Sequence, residues 1–143
     1  MNHHLEREAE FDPTGPEVRV LVVDDHDGYR SIVDEVIAAT PGFVSAGSTS
    51  SWAETREQIG AGTIVADLVL MDVNLGDESG IVAATELGTL SPESVVILIS
   101  TLSIADLPPE ARTCGAAGFV TKSELGPAKI ARIWQGASDW AQP

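Results

Sequence analysis

Four stretches of the chain are apolar almost without a break: residues 18–23 (VRVLVV), 66–73 (ADLVLMDV), 95–100 (VVILIS) and 118–121 (GFVT). Short runs of this kind, rich in β-branched side chains, suit strands buried on both faces. Between them the apolar positions fall at helical spacing. Tyr29, Ile32, Val33, Val36 and Ile37 share one face of a helix expected over residues 27–39, which Thr40-Pro41-Gly42 stops. Residues 43–46 form a short candidate edge strand. Ser51 suits the N-cap of a helix over residues 52–59. Glu54 at its third position completes a capping box, and Gly60 and Gly62 end it. Residues 76–80 read as a loop and 81–87 as a helix. Ser123 is expected to cap a final helix reaching about Trp140, with Ile130, Ile133, Trp134 and Ala137 turned inward.

Strands that are apolar throughout, alternating with helices, argue for a parallel sheet covered by helices on both faces. Five strands and five helices in about 125 residues fit an α/β fold: a flavodoxin-like doubly wound five-stranded parallel sheet of order 2-1-3-4-5. Such sheets bind ligands outside the carboxyl ends of their strands, where the strand order reverses.

The length, 143 residues, suits one domain. Residues 1–16 carry Glu6, Glu8, Glu10 and Asp12, with Pro13 and Pro16 bracketing Gly15, and few large apolar groups. They read as a flexible N-terminal tail ahead of a domain over residues 17–140. His3 and His4 supply too few ligands for a dedicated metal site. The formal net charge is −14, from 22 acidic and 8 basic residues. A charge of that sign repels nucleic acid and anionic membrane surfaces, so neither is expected as a direct partner. No apolar run approaches the ~18 residues of a membrane span. The first residues lack the basic and apolar regions of a signal peptide. Cys114 is the one cysteine, which excludes an internal disulfide and a cysteine metal cage. A cytoplasmic setting is expected.

The chemistry collects at the strand ends. The first strand ends in Asp24-Asp25, the third in Asp72, the fourth in Ser100-Thr101 and the fifth in Lys122. Strands 1 and 3 are neighbours in the expected order, so three carboxylates share one crevice. Like charges that close repel, and the cluster calls for a cation or a proton. Hard oxygen donors point to Mg²⁺, which also shares itself with phosphates. Lys122, one of only two lysines, is placed to pair with an anion at the same edge. A hydroxyl, carboxylates able to hold a metal, a free carboxylate and a lysine are the parts needed to receive a phosphoryl group.

The segments VLVVDDHDGYR, VLMDVNLGDESG, VILIS and GFVTKSEL, in this order, resemble the receiver domain of bacterial two-component response regulators. The resemblance runs from about Arg19 to Trp134. It implies that Asp72 is the phosphoacceptor and that Asp24 and Asp25 hold Mg²⁺. The backbone carbonyl of Asn74 would join them as a metal ligand, with Asp72 itself. Lys122 matches the phosphate-pairing lysine, Ser100 the switch hydroxyl and Phe119 the aromatic that moves with it. The implied phosphodonor is a histidine kinase or a phosphotransfer protein. The implied output is an altered contact with a downstream protein or a second copy of the chain. No enzymatic activity of its own is expected.

The sequence departs from the family pattern in three places. The loop after Asp72 reads NLGDESG, without the usual proline and with two added acids, Asp77 and Glu78, expected beside the site. Lys122 is followed by Ser123 rather than proline, as in receivers of the subfamily that often carries a helix-turn-helix output. Pro108-Pro109 falls where the fourth helix would be in mid-course. That helix is therefore expected to start at Pro109 and to be short, after an extended approach through Leu107 and Pro108. Only three residues follow Trp140, leaving no room for a DNA-binding domain unless the chain is a fragment. The competing readings are a receiver-like interaction module that works without phosphorylation, and a small phosphatase. The phosphatase reading is disfavoured because Asn74 stands where an acid–base residue would be needed.

Overall fold

The computed structural model describes residues 12–136. Residues 1–11 of the expected tail, and the expected end of the last helix with Ala137 and Trp140, lie outside the described residues. Strands β1 (Val18–Val23), β2 (Phe43–Thr49), β3 (Leu68–Asp72), β4 (Val95–Ser100) and β5 (Gly118–Thr121) form one parallel sheet in the order β2-β1-β3-β4-β5. This is the expected doubly wound topology.

Alternation along each strand sorts the core into two layers. Leu21, Val23, Val69, Met71 and Leu98 face helices α2 (Trp52–Gly60) and α3 (Gly80–Leu90). Val20, Val22, Leu68, Leu70, Ile97 and Ile99 face helices α1 (Asp27–Ala38) and α4 (Pro127–Gly136). Burial of each such side chain contributes about 1.5–3 kcal/mol relative to exposure. A sheet apolar on both faces therefore fixes the strand register, and with it the position of whatever follows each strand. Val23 pairs with Met71, Asp72 with Ile99, and Ser100 with Thr121. Asp24, Asp72, Ser100 and Lys122 are thereby delivered to one edge of the sheet.

Several local expectations are corrected. Four α-helices, not five, are present among the described residues. Between β4 and β5 the chain makes two 3₁₀ turns, Ile104–Asp106 and Pro109–Arg112. Pro109 does open the second turn, as expected, with Pro108 extended before it (φ −60°, ψ 151°), but the turn does not propagate. Proline lacks the amide hydrogen that an earlier turn would use, and Gly115, at φ 97°, ends the segment. Ala111 and Cys114 still bury their side chains, so the segment covers the core without a helix.

Ser123 does not cap the last helix. It lies in a separate 3₁₀ turn, Lys122–Glu124, and α4 begins at Pro127, whose fixed φ suits a first helical position. Ile32 is 55% exposed while Val33 and Ile37 are buried, so the apolar stripe of α1 is narrower than its spacing suggests. β2 is longer than expected and runs to Thr49. Within the expected loop, Asn74–Leu75 and Glu78–Ser79 pair as a small antiparallel hairpin around Gly76. The Ser51–Glu54 cap forms: the Glu54 amide donates to Ser51 Oγ at 3.0 Å, and Glu54 Oε1 accepts from the Ser50 amide at 3.0 Å. No helix among the described residues is long and apolar enough to cross a membrane.

Candidate functional site

Asp24 follows the last residue of β1 and is fully buried. Its backbone extends the ladder, donating its amide to the Thr49 carbonyl at 3.1 Å. Its Oδ1 accepts the His26 amide at 2.8 Å, and Arg30 holds its carbonyl at 2.7 Å. Its Oδ2 has no aligned hydrogen-bond donor, yet the Lys122 ammonium sits 2.5 Å away. A buried carboxylate without a charge partner would be costly, and the lysine answers most of that cost.

Asp72 ends β3 and is 3% exposed. Its Oδ1 accepts the Asn74 amide at 3.1 Å, and its Oδ2 accepts from Lys122 Nζ at 3.1 Å. Burial pushes its pKa up to about 6. The Asp24 charge adds to the rise, while the Asn74 amide and Lys122 oppose it. The loop closes tightly behind it. Gly80 approaches so closely that a Cβ there would stand 1.9 Å from the Asp72 carbonyl oxygen, so only glycine fits.

Lys122 follows β5, and its side chain is 9% exposed. Burial pulls its pKa down, but pairing with Asp24 and Asp72 outweighs this, and the value stands above that of an ordinary lysine. Tyr29, on α1, donates its hydroxyl to the Lys122 carbonyl at 3.1 Å, and its ring centroid lies 4.6 Å from Nζ. The tyrosine is thus a positioning group for the lysine. Burial, with the charges of Asp24 and Asp72, pushes the Tyr29 pKa up to about 12, which keeps it a donor.

Asp25 lies on the open side of the crevice and shares His26 Nδ1 with Asp24, at 3.2 Å to each carboxylate. Single ligand atoms from Asp24, Asp25, His26 and Asp72 all lie within 4.8 Å of one another. Asn74 is exposed, directly after the acidic loop begins. Ser100 is 6% exposed and its Oγ accepts the Leu102 amide at 3.0 Å, leaving the hydroxyl hydrogen for another acceptor. Phe119 is half-buried opposite Leu98 and packs on the α2/α3 layer. An open cleft of about 580 Å³, lined by Asp25, His26, Tyr29, Thr101 and Lys122 among others, leads to the lysine.

The expected residues Asp24, Asp25, Asp72 and Lys122 therefore converge. Ser100 joins the same edge by register, and Phe119, opposite Leu98, lies two residues before the Ser100–Thr121 pair. Glu78 departs from expectation: it does not face Asp72. Its carboxylate turns to the start of α2 and accepts the amides of Trp52 at 2.8 Å and Ala53 at 3.2 Å. Asp77 is exposed at the hairpin tip. Two contributors were missed, Tyr29 and His26. Tyr29 reads from the sequence as part of the apolar stripe of α1, and no motif in the sequence singles out His26. Their proximity to the acids in sequence was the only available signal.

Hard oxygen donors around a single ammonium can hold a divalent cation and can accept an electrophilic phosphorus group, because the cation and lysine would offset its charge. The comparisons agree with this geometry. Residues 20–133 match the model of the response regulator receiver domain. The chain is 32% identical over 105 residues to the response regulator GacA of Pseudomonas viridiflava, covering 73% of this chain and 48% of that protein. It is 32% identical over 113 residues to a protein-glutamate methylesterase/protein-glutamine glutaminase of Xanthomonas campestris pv. campestris, covering 78% of this chain and 31% of that protein. The chain thus spans about half, or less, of the length of these relatives. Among solved structures, the response regulator domain of Thermotoga maritima CheB superposes with a TM-score of 0.71 at 25% identity, covering 84% of this chain and 96% of that one. A LuxR-family two-component response regulator from Aurantimonas sp. SI85-9A1 shares the fold, with a TM-score of 0.73 at 22% identity over 87% of this chain and 92% of that one. With the fold, the acidic crevice and the family match in agreement, the chain belongs to the receiver domains of two-component response regulators.

Proposed function

We propose that Asp72 accepts a phosphoryl group from the phosphohistidine of a histidine kinase or phosphotransfer protein. In this reaction an Asp72 carboxylate oxygen attacks phosphorus, a P–O bond forms, the donor's P–N bond breaks, and the leaving imidazole takes up a proton. Asp24, Asp25, Asp72 and the backbone carbonyl of Asn74 would hold Mg²⁺. The donor set suits it: hard carboxylate oxygens of Asp24, Asp25 and Asp72 in one cluster. Bound there, Mg²⁺ would supply positive charge to the phosphoryl oxygens.

Lys122 would exchange its contact with Asp72 for one with the phosphoryl group while keeping Asp24 as partner. Ser100 would donate its hydroxyl to the same anion. That movement would admit repacking of Phe119 over Ala111 and Cys114, which lie in the same core layer. The altered surface would then bind a downstream protein or a second copy of the chain. The supporting observation is the bridging ammonium, 2.5 Å from Asp24 and 3.1 Å from Asp72, carried in from a strand distant in sequence. Intact-mass analysis after acetyl phosphate treatment tests the proposal. The added mass of one phosphoryl group is expected with Mg²⁺. It should be absent in EDTA and in Asp72→Asn. Equal labelling in all three samples would overturn it.

A further inference from the structure

We propose that His26 supplies a nitrogen ligand to the divalent cation of this crevice, so that the chain favours first-row transition ions beyond what an all-oxygen site would. The inference rests on the metal-binding reading above and refines it.

His26 Nδ1 lies 3.2 Å from Asp24 Oδ1 and 3.2 Å from Asp25 Oδ1. Adjacent ligands on an octahedral ion with bonds of about 2.1–2.2 Å stand about 3.0–3.1 Å apart. The imidazole and the two carboxylates are therefore spaced as three neighbouring ligands of one ion, and an Asp72 oxygen lies within the same 4.8 Å cluster. Among the described residues the ring's polar contacts are with these two carboxylates. His26 holds the N-cap position of α1 with extended backbone (φ −98°, ψ 113°), yet its side chain makes no capping hydrogen bond. The side chain is 70% exposed, so adjusting the ring toward an ion would disturb no core packing. Asp24 Oδ2 is held by the Lys122 ammonium at 2.5 Å, so the Asp24 oxygen that faces the ring is Oδ1. Imidazole is a softer donor than carboxylate and favours transition ions, whereas Mg²⁺ gains little from it.

Manganese provides the probe. The full chain loaded with Mn²⁺ is expected to show ¹⁴N modulation in pulsed electron paramagnetic resonance. The signal should persist in the His3→Asn/His4→Asn double variant and vanish in His26→Asn. By calorimetry, His26→Asn should weaken Mn²⁺ binding about tenfold and Mg²⁺ binding less than about twofold. Mn²⁺ bound without ¹⁴N coupling overturns the role of His26 but leaves the metal site standing, as does equal weakening of both ions. If neither ion binds the wild type, or both bind Asp25→Asn unchanged, the metal site itself fails and His26 with it.

Discussion

In the absence of metal, Asp72 should make the protein less stable as pH rises, and Asp72→Asn should remove that loss. The Asp72 pKa is raised from 3.8 to about 6 in the folded state. A carboxyl with a raised folded pKa holds its proton more tightly when folded. Its favourable contribution is complete below the unfolded pKa near 4 and is lost as pH climbs through about 6. Two pH units correspond to about 3 kcal/mol. Asp72 is almost fully buried, so solvent screens little of this. For a chain of this size, the loss amounts to a change in Tm on the order of 8 °C. The assay is urea denaturation in EDTA at intervals from pH 4 to 7.5, comparing wild type with Asp72→Asn. The difference between the two proteins isolates one titration from the many surface acids. Asp72→Asn is expected to equal wild type near pH 4 and to exceed it by about 3 kcal/mol above pH 7. Mg²⁺ at 100 times its dissociation constant should return about 2.7 kcal/mol to the wild type and far less to the variant. A difference that stays constant across this range would refute the claim that burial, with the Asp24 charge beside it, raises the Asp72 pKa in the folded protein.

Other substitutions separate the structural and chemical parts of the site. Lys122→Met leaves Asp24 buried without its cation and should cost about 3 kcal/mol at neutral pH, partly restored by Mg²⁺, as read by chemical denaturation. Gly80→Ala drives a methyl into the Asp72 carbonyl and should cost about 3 kcal/mol while abolishing phosphoacceptance, seen by denaturation and intact mass together. Glu78→Ala removes two hydrogen bonds from the start of α2 and should cost about 1 kcal/mol in thermal unfolding, with labelling of Asp72 retained.

The strands were legible because each is apolar on both faces, and the acids and lysine could be located because they interrupt or follow those runs. Register then carried the placement of Asp24, Asp72, Ser100 and Lys122 into space. Features set by tertiary contact were not legible. Glu78 resembles any loop acid, and only the packing of the hairpin against α2 reveals the amides it accepts. Ser123 has the composition of a cap, but Pro127 is the residue that fixes where α4 can begin. Pro108-Pro109 signalled a shortened helix, and the correct outcome was no α-helix, since one 3₁₀ turn already reaches the core through Ala111. Ile32 fits the helical period of α1, but it lies at the edge of the stripe and stays 55% exposed.

The central claim is that Asp72, among many acids, becomes an acyl phosphate. Borohydride reduction after acetyl phosphate treatment converts an aspartyl phosphate to homoserine, and peptide mass spectrometry locates it. Homoserine at position 72 alone, dependent on Mg²⁺, is the predicted result. Homoserine at Asp25 or Asp77 instead, or none at any position with Mg²⁺ present, would contradict the account.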